Sequence, residues 1–235
     1  MGYYASADAD RDRSQLIISR KDSMKNILDA LLNWAGTQWT VFDMGIAADK
    51  NTNACFWLSV VAGWSRLPLI RYQDKILDDL SCAVHELNPV PLAHLQVRQR
   101  FGMDTIGQLA NQLRQLVAGE HGAMMARQCV WQLAFAGLQL AGTNQYPSDS
   151  ASFKKWLSRV ATSEFADELV LSATSQLLRI CIRTVPHTPE GSMQDWKITE
   201  HPCAALRSSE AYDESMIITL GNNDVHYVCL HAHVN

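Results

Sequence analysis

The sequence predicts an α+β fold, and three observations carry that prediction. The first is Cys55–Phe56–Trp57–Leu58–Ser59–Val60–Val61–Ala62–Gly63, apolar on every side except at Ser59. A helix without a polar face is a buried helix. The second is a long helix-patterned run over 66–144. The third is a closing pair of short apolar segments, Met216–Leu220 and Val225–His231, around Gly221–Asn222–Asn223–Asp224, a hairpin signature.

Residues 1–14 are polar and charged and read as a lead-in, leaving 15–235 as the folded unit. Asp22 or Ser23 can cap a helix whose apolar face is Met24, Ile27, Leu28, Leu31 and Leu32, with Gly36 as its stop. Trp39–Thr40–Val41–Phe42 reads as a strand entering Asp43. A polar loop to Asn53 then delivers Cys55 to the first turn of the buried helix. In the run 66–144, helices are expected over Tyr72–Leu87, Thr105–Val117 and Ala123–Ala141, with Pro89 and Pro91 between the first two. This run is expected to form an inserted helical lobe.

Phe153–Val160 follows as a short helix. Ser163 or Thr162 is then expected to cap a helix carrying Glu164, Asp167 and Glu168 in its first turn. Its inner face would be Leu169, Val170, Ala173 and Leu177. From Leu178 to Thr184, alternation predicts a strand. The stretch from Pro186 to Asp213 holds Pro186, Pro189, Gly191 and Pro202 and reads as irregular.

Composition narrows the functional classes. With 20 basic and 24 acidic residues among 235, and no basic run, a nucleic-acid binder is not expected. No apolar run approaches the roughly 18 residues of a membrane helix. The start, Met1–Gly2–Tyr3–Tyr4, lacks a signal-peptide layout. The six cysteines, at 55, 82, 129, 181, 203 and 229, form no CxxC pair and no metal spacing. Cys82, Cys129, Cys181 and Cys229 read as small core residues. The expectation is a reduced, cytoplasmic chain that needs no metal or organic cofactor. His231 and His233 form a trailing His-x-His whose plain reading is a solvated strand end.

Cys55 differs from the other five by position. A thiol at a helix N-terminus sits at the positive end of the dipole, which favours the thiolate. His226, at the start of the last strand, is the candidate base. Cysteine plus histidine is the minimum for thiol hydrolysis. The amides at Thr52 and Asn53 could hold the oxyanion.

Asn53–Ala54–Cys55–Phe56–Trp57–Leu58–Ser59 resembles the cysteine box of the ovarian-tumour (OTU) type cysteine proteases. Ser163–Glu164–Phe165–Ala166–Asp167–Glu168–Leu169 followed by Leu178–Arg179–Ile180–Cys181–Ile182–Arg183 resembles that family's helix and next strand. Ile217–Ile218–Thr219–Leu220 with His226–Tyr227 resembles its closing hairpin. The blocks stand in the family's order. The resemblance implies a papain-like α+β fold and cleavage of the peptide or isopeptide bond after the C-terminal glycine of ubiquitin or a ubiquitin-like modifier. Cys55 would be the nucleophile and His226 the base. The long helical insertion is similar to that of bacterial effector members, which would act in a host cytoplasm; viral members add polyprotein cutting.

The sequence departs from the family in two places. Thr52–Asn53–Ala54 stands where Asp-Gly-Asn is usual, and Asn53 is tolerable there because asparagine reaches positive φ more readily than most residues. Val228 stands where an acid or asparagine often orients the imidazole. Asp49 is the first candidate for that role, Asp224 the second and Asp43 the third, with a bare Cys–His dyad as the remaining alternative. The alternatives are an inactive ubiquitin-binding module of the same fold, a viral polyprotein-processing thiol protease, and a helical scaffold without thiol chemistry. Oligomeric state is not readable from the sequence.

Overall fold

The computed structural model describes residues 39–42, 53–87, 94–135, 150–162, 166–186, 198–203, 214–222 and 227–232. The expected helix from Met24 and the turn residues Asn223–His226 lie outside them. The described elements are β1 (Trp39–Phe42), α1 (Cys55–Trp64), α2 (Lys75–His85), α3 (His94–Ala118), α4 (Glu120–Phe135), α5 (Ser150–Thr162), α6 (Glu168–Leu178), β2 (Cys181–Pro186), β3 (Thr199–Pro202), β4 (Ile217–Asn222) and β5 (Tyr227–Ala232). The fold is mixed α+β.

The strands form one sheet in the order β1-β5-β4-β2-β3. Only β2 and β4 run parallel, with Ile182 beside Ile218; the other three pairings are antiparallel. The β4–β5 pair is a hairpin, with Asn222 opposite Tyr227 and Leu220 opposite Cys229. Gly221 and Asn222, expected in the turn, are the last residues of β4.

The buried helix is α1, and it begins at Cys55 as the apolar run predicts. Phe56, Trp57, Leu58, Val60, Val61 and Trp64 are all buried. Helix α1 packs on β5 and β4 on one side and on α3 on another. Gly63 allows the close approach to the sheet: a Cβ there would stand 3.0 Å from Ile218 Cβ and 3.4 Å from Cys229 Sγ. Ile106, Leu109, Leu113 and Val117 of α3 join Trp57 and Leu169 in one hydrophobic cluster. Burial pushes the Cys181 and Cys229 thiols up to about 12, so both are inert core groups. Cys82 is only half-buried, and it accepts a bond from Arg71 Nη1 at 3.2 Å.

Several expected boundaries move. Helix α3 starts at His94, well before Thr105, and runs through Gly102 and Gly107. Helix α5 extends to Thr162, so Thr162 ends a helix where it was expected to open one. The cap of α6 is Asp167, in extended backbone (φ −96°, ψ −178°), whose Oδ1 accepts from Val170 N at 2.9 Å. Ser163 and Glu164 lie outside the described residues. Leu178 belongs to α6, and Arg179 ends that helix in the left-handed region at φ 55°, so the strand starts only at Cys181. The irregular stretch after Pro186 contains an unforeseen strand, β3. It pairs with β2 alone at the sheet edge, where its terminal Pro202 is tolerated.

Candidate active site

Cys55 is the first residue of α1 and is 7% exposed. The residue before it, Ala54, has no side chain able to cap, and no side-chain cap bond is made at this helix start. The first turn carries no acid. The initial amides of a helix have no intrahelical acceptor, so this end offers N–H groups and a positive dipole beside the sulfur. Asn53 takes φ 47°, a left-handed conformation that asparagine adopts more readily than most residues.

Of the other expected site residues, Asp43, Asp49, Thr52, Asp224 and His226 lie outside the described residues. The chain neighbour of His226 is described, and it is tightly held. Tyr227 opens β5 and is buried. Its ring meets the Phe56 ring edge-on, centroids 5.2 Å apart. Its carbonyl accepts a bond from Ser59 Oγ at 3.1 Å. Its hydroxyl donates to Ala166 O at 2.9 Å and accepts from Asn222 Nδ2 at 3.3 Å. Phe56 and Ser59 stand one and four residues after Cys55, so the front of β5 is fastened to the first turns of the cysteine helix.

Two further charged groups stand out, of which only Glu168 carried a signal in the sequence. Arg114 of α3 is 4% exposed, and its Nε donates to Val160 O at 2.5 Å. Burial holds its guanidinium below the ordinary arginine range, while the Cys55 sulfur acts to raise it. A lone arginine in the helix-patterned run gave no signal in the sequence; only the packing of α3 against α1 brings it near Cys55. The second group is Glu168, at the start of α6. Burial, then the neighbouring Asp167 charge, push its carboxyl up to about 7. Its Oε1 lies 3.2 Å from Nδ1 of the buried His201. The plain expectation for acids that open a helix is a solvated turn. That reading fails: Asp167 is 5% exposed and is consumed as a cap, and Glu168 turns in toward His201.

Among the described residues no cluster of His, Cys, Asp and Glu could hold a metal ion, and no helix is long and apolar enough to cross a membrane. A cavity of about 220 Å³ lies elsewhere, between the start of α2 and the end of α6, where Arg179 stands over the Tyr72 ring.

No protein-family profile matches the chain, and no curated protein does. Similar solved structures include a ceOTUB1–ubiquitin aldehyde–UBC13~Ub complex, at TM-score 0.45 and 12% identity over 78% of this chain and 77% of that one. An h/ceOTUB1–ubiquitin aldehyde–UBC13~Ub complex is similar at TM-score 0.44 and 12% identity, over 79% and 75%. An h/ceOTUB1–ubiquitin aldehyde–UBCH5B~Ub complex is similar at 0.44 and 11% identity, over 95% and 100%. Scores at this level give the likeness no weight for fold or role.

Proposed function

We propose that the chain is a cysteine-dependent deubiquitinase with an OTU-type, papain-like catalytic domain. The single observation that carries the reading is the attachment of Tyr227 to α1. Residues adjacent in the chain have Cα atoms about 3.8 Å apart. Fastening Tyr227 to Phe56 and Ser59 brings the residue next in sequence to His226 against the helix that bears Cys55, which supports pairing the two in one site. The order of the cysteine box, helix–strand block and closing hairpin supports the same reading, as does the positive φ of Asn53.

In this proposal His226 takes the thiol proton of Cys55, and the sulfur attacks the carbonyl carbon of the C-terminal glycine of ubiquitin or a related modifier. The first-turn amides and those at Thr52 and Asn53 hold the oxyanion. The C–N bond breaks, and the imidazolium returns its proton to the leaving amine. Water, deprotonated by the same imidazole, then splits the thioester to a carboxylate and the free thiol. Asp49 is the leading candidate to hold the imidazole tautomer, with Asp224 and Asp43 behind it. The segment 66–144 would contact a ubiquitin and set linkage preference.

The test is a ubiquitin carrying a C-terminal electrophile. The proposal expects a covalent adduct, lost in Cys55→Ala and in His226→Ala. Binding without an adduct would replace the enzyme by a ubiquitin-binding module, a reading that Val228 in the usual orienter position favours. No binding and no adduct would end the ubiquitin reading.

A further inference from the structure

We infer that Ser59 is a positioning residue for the thiol chemistry: its hydroxyl, through the Tyr227 carbonyl, sets the place of the first residues of β5 against the cysteine helix. The inference rests on the reading of Cys55 and His226 given above and adds to it the device that holds their two segments in register.

Ser59 is the one hydroxyl-bearing residue of α1, surrounded by Trp57, Leu58, Val60 and Val61, and it is wholly buried. A buried hydroxyl costs free energy unless it is bonded. The common solution inside a helix is a bond back to the carbonyl four residues earlier. Ser158, Thr162 and Thr174 of this chain all take that solution, donating to Lys154 O, Ser158 O and Val170 O. For Ser59 the carbonyl four residues back is that of Cys55 itself. Ser59 donates elsewhere, to Tyr227 O, 168 residues on in the chain. The hydroxyl is spent on β5 rather than on the Cys55 carbonyl.

The bond is one of several on the same residue. The Tyr227 hydroxyl is anchored to Ala166 O, just before the Asp167 cap, and its ring rests on Phe56. Ring and hydroxyl hold the side chain, and the pairing of Tyr227 with Asn222 sets its register along the sheet, but none of these ties the peptide itself to α1. The Ser59 bond acts on the peptide. A residue that only filled the core at this place would be served as well by alanine or valine; a hydroxyl here has a directional role.

Iodoacetamide alkylation of Cys55, followed by peptide mass spectrometry as a function of pH, tests this without a ubiquitin substrate. The variants are Ser59→Ala, His226→Ala, the double variant, and Tyr227→Phe, which removes a different tether of the same residue. The expected result is slower alkylation at pH 7 in Ser59→Ala by about tenfold, the scale of a small misplacement. Its alkylation profile moves toward higher pH, and the double variant is no slower than His226→Ala alone, because Ser59 acts through the histidine. Tyr227→Phe shifts the profile in the same direction. Near-UV circular dichroism establishes that each variant is folded; if Ser59→Ala is not, Tyr227→Phe decides. Wild-type rates in folded Ser59→Ala, or losses that multiply in the double variant, overturn the inference. If His226→Ala leaves Cys55 alkylation unchanged, the histidine reading fails, and the inference with it. If the alkylation pattern holds while the ubiquitin probe forms no adduct, the positioning role stands and only the substrate assignment is lost.

Discussion

Helices α1 and α6 are nearly equal in length, 10 and 11 residues, and both are buried along most of their surface, yet their N-termini are built in opposite ways. Helix α6 is finished. Asp167 caps it, Trp156 Nε1 donates to the same carboxylate at 3.4 Å, and Glu168 follows in the first turn. Helix α1 is left open: an alanine precedes it, no acid stands in its first turn, and its first residue is a cysteine. A cap can contribute about 1 kcal/mol of stability. Helix α1 goes without it at the very end where an anion would bind. The lesson is that a missing local stabiliser, next to a nucleophile, is better evidence of chemistry than the nucleophile alone.

Asp167→Ala tests the finished end and should have the largest effect. It removes a cap and leaves the buried Trp156 N–H short of an acceptor, at a cost of about 2–3 kcal/mol in denaturant unfolding. A loss below 0.5 kcal/mol would mean that the two ends differ less than their contacts imply.

Glu168 sharpens the same comparison through pH. Its carboxyl sits at about 7 in the fold against an ordinary 4.5, so the folded chain binds the proton more tightly than the unfolded one. Its contribution to stability is therefore fully present below pH 4.5 and is lost as pH rises through 7. The side chain is 27% exposed, so the size is discounted for solvent to about 1–2 kcal/mol. Unfolding midpoints measured between pH 5 and 8 should show this fall, and Glu168→Gln should flatten it.

The open end is tested by closing it. Ala54→Asp places a carboxylate beside the first turn of α1. Stability should change by no more than about 0.5 kcal/mol, because Ala54 sits in helical backbone (φ −83°, ψ −7°), a poor geometry for capping. Cys55 alkylation at pH 7 should slow about threefold to tenfold, since a nearby negative charge disfavours the thiolate. Unchanged alkylation would remove the open end as a source of activation. The smallest effect is expected for Asn53→Gly: at φ 47° glycine is at ease, and stability should stay within about 0.5 kcal/mol. Asn53→Val, which is strained there, should cost about 1–2 kcal/mol by the same measurement.

Much of this architecture could be read from residue order. The apolar run after Cys55 could only be a buried helix, and the β4–β5 hairpin followed from two apolar segments around a turn. Where the reading failed, two local solutions were equally good. Thr162, Ser163 and Asp167 are all competent caps; Asp167 serves because Trp156, from another helix, reaches its second oxygen. The sequence Thr199–Glu200–His201–Pro202 has no apolar alternation, and it is a strand only because the edge of β2 accepts it.

The sequence alone determined that Cys55 would open a buried helix, that Asn53 could take the turn before it, and that one hydroxyl would be carried into the core. Those follow from side-chain polarity and backbone sterics within a few residues. Tertiary structure alone decided where that hydroxyl donates, which acid caps α6, and that Arg114 of α3 comes near Cys55. Each of these depends on a partner from another element, 11 residues away for Trp156 and Asp167 and 168 for Ser59 and Tyr227, brought close only when the apolar surfaces of the helices and the sheet leave water together.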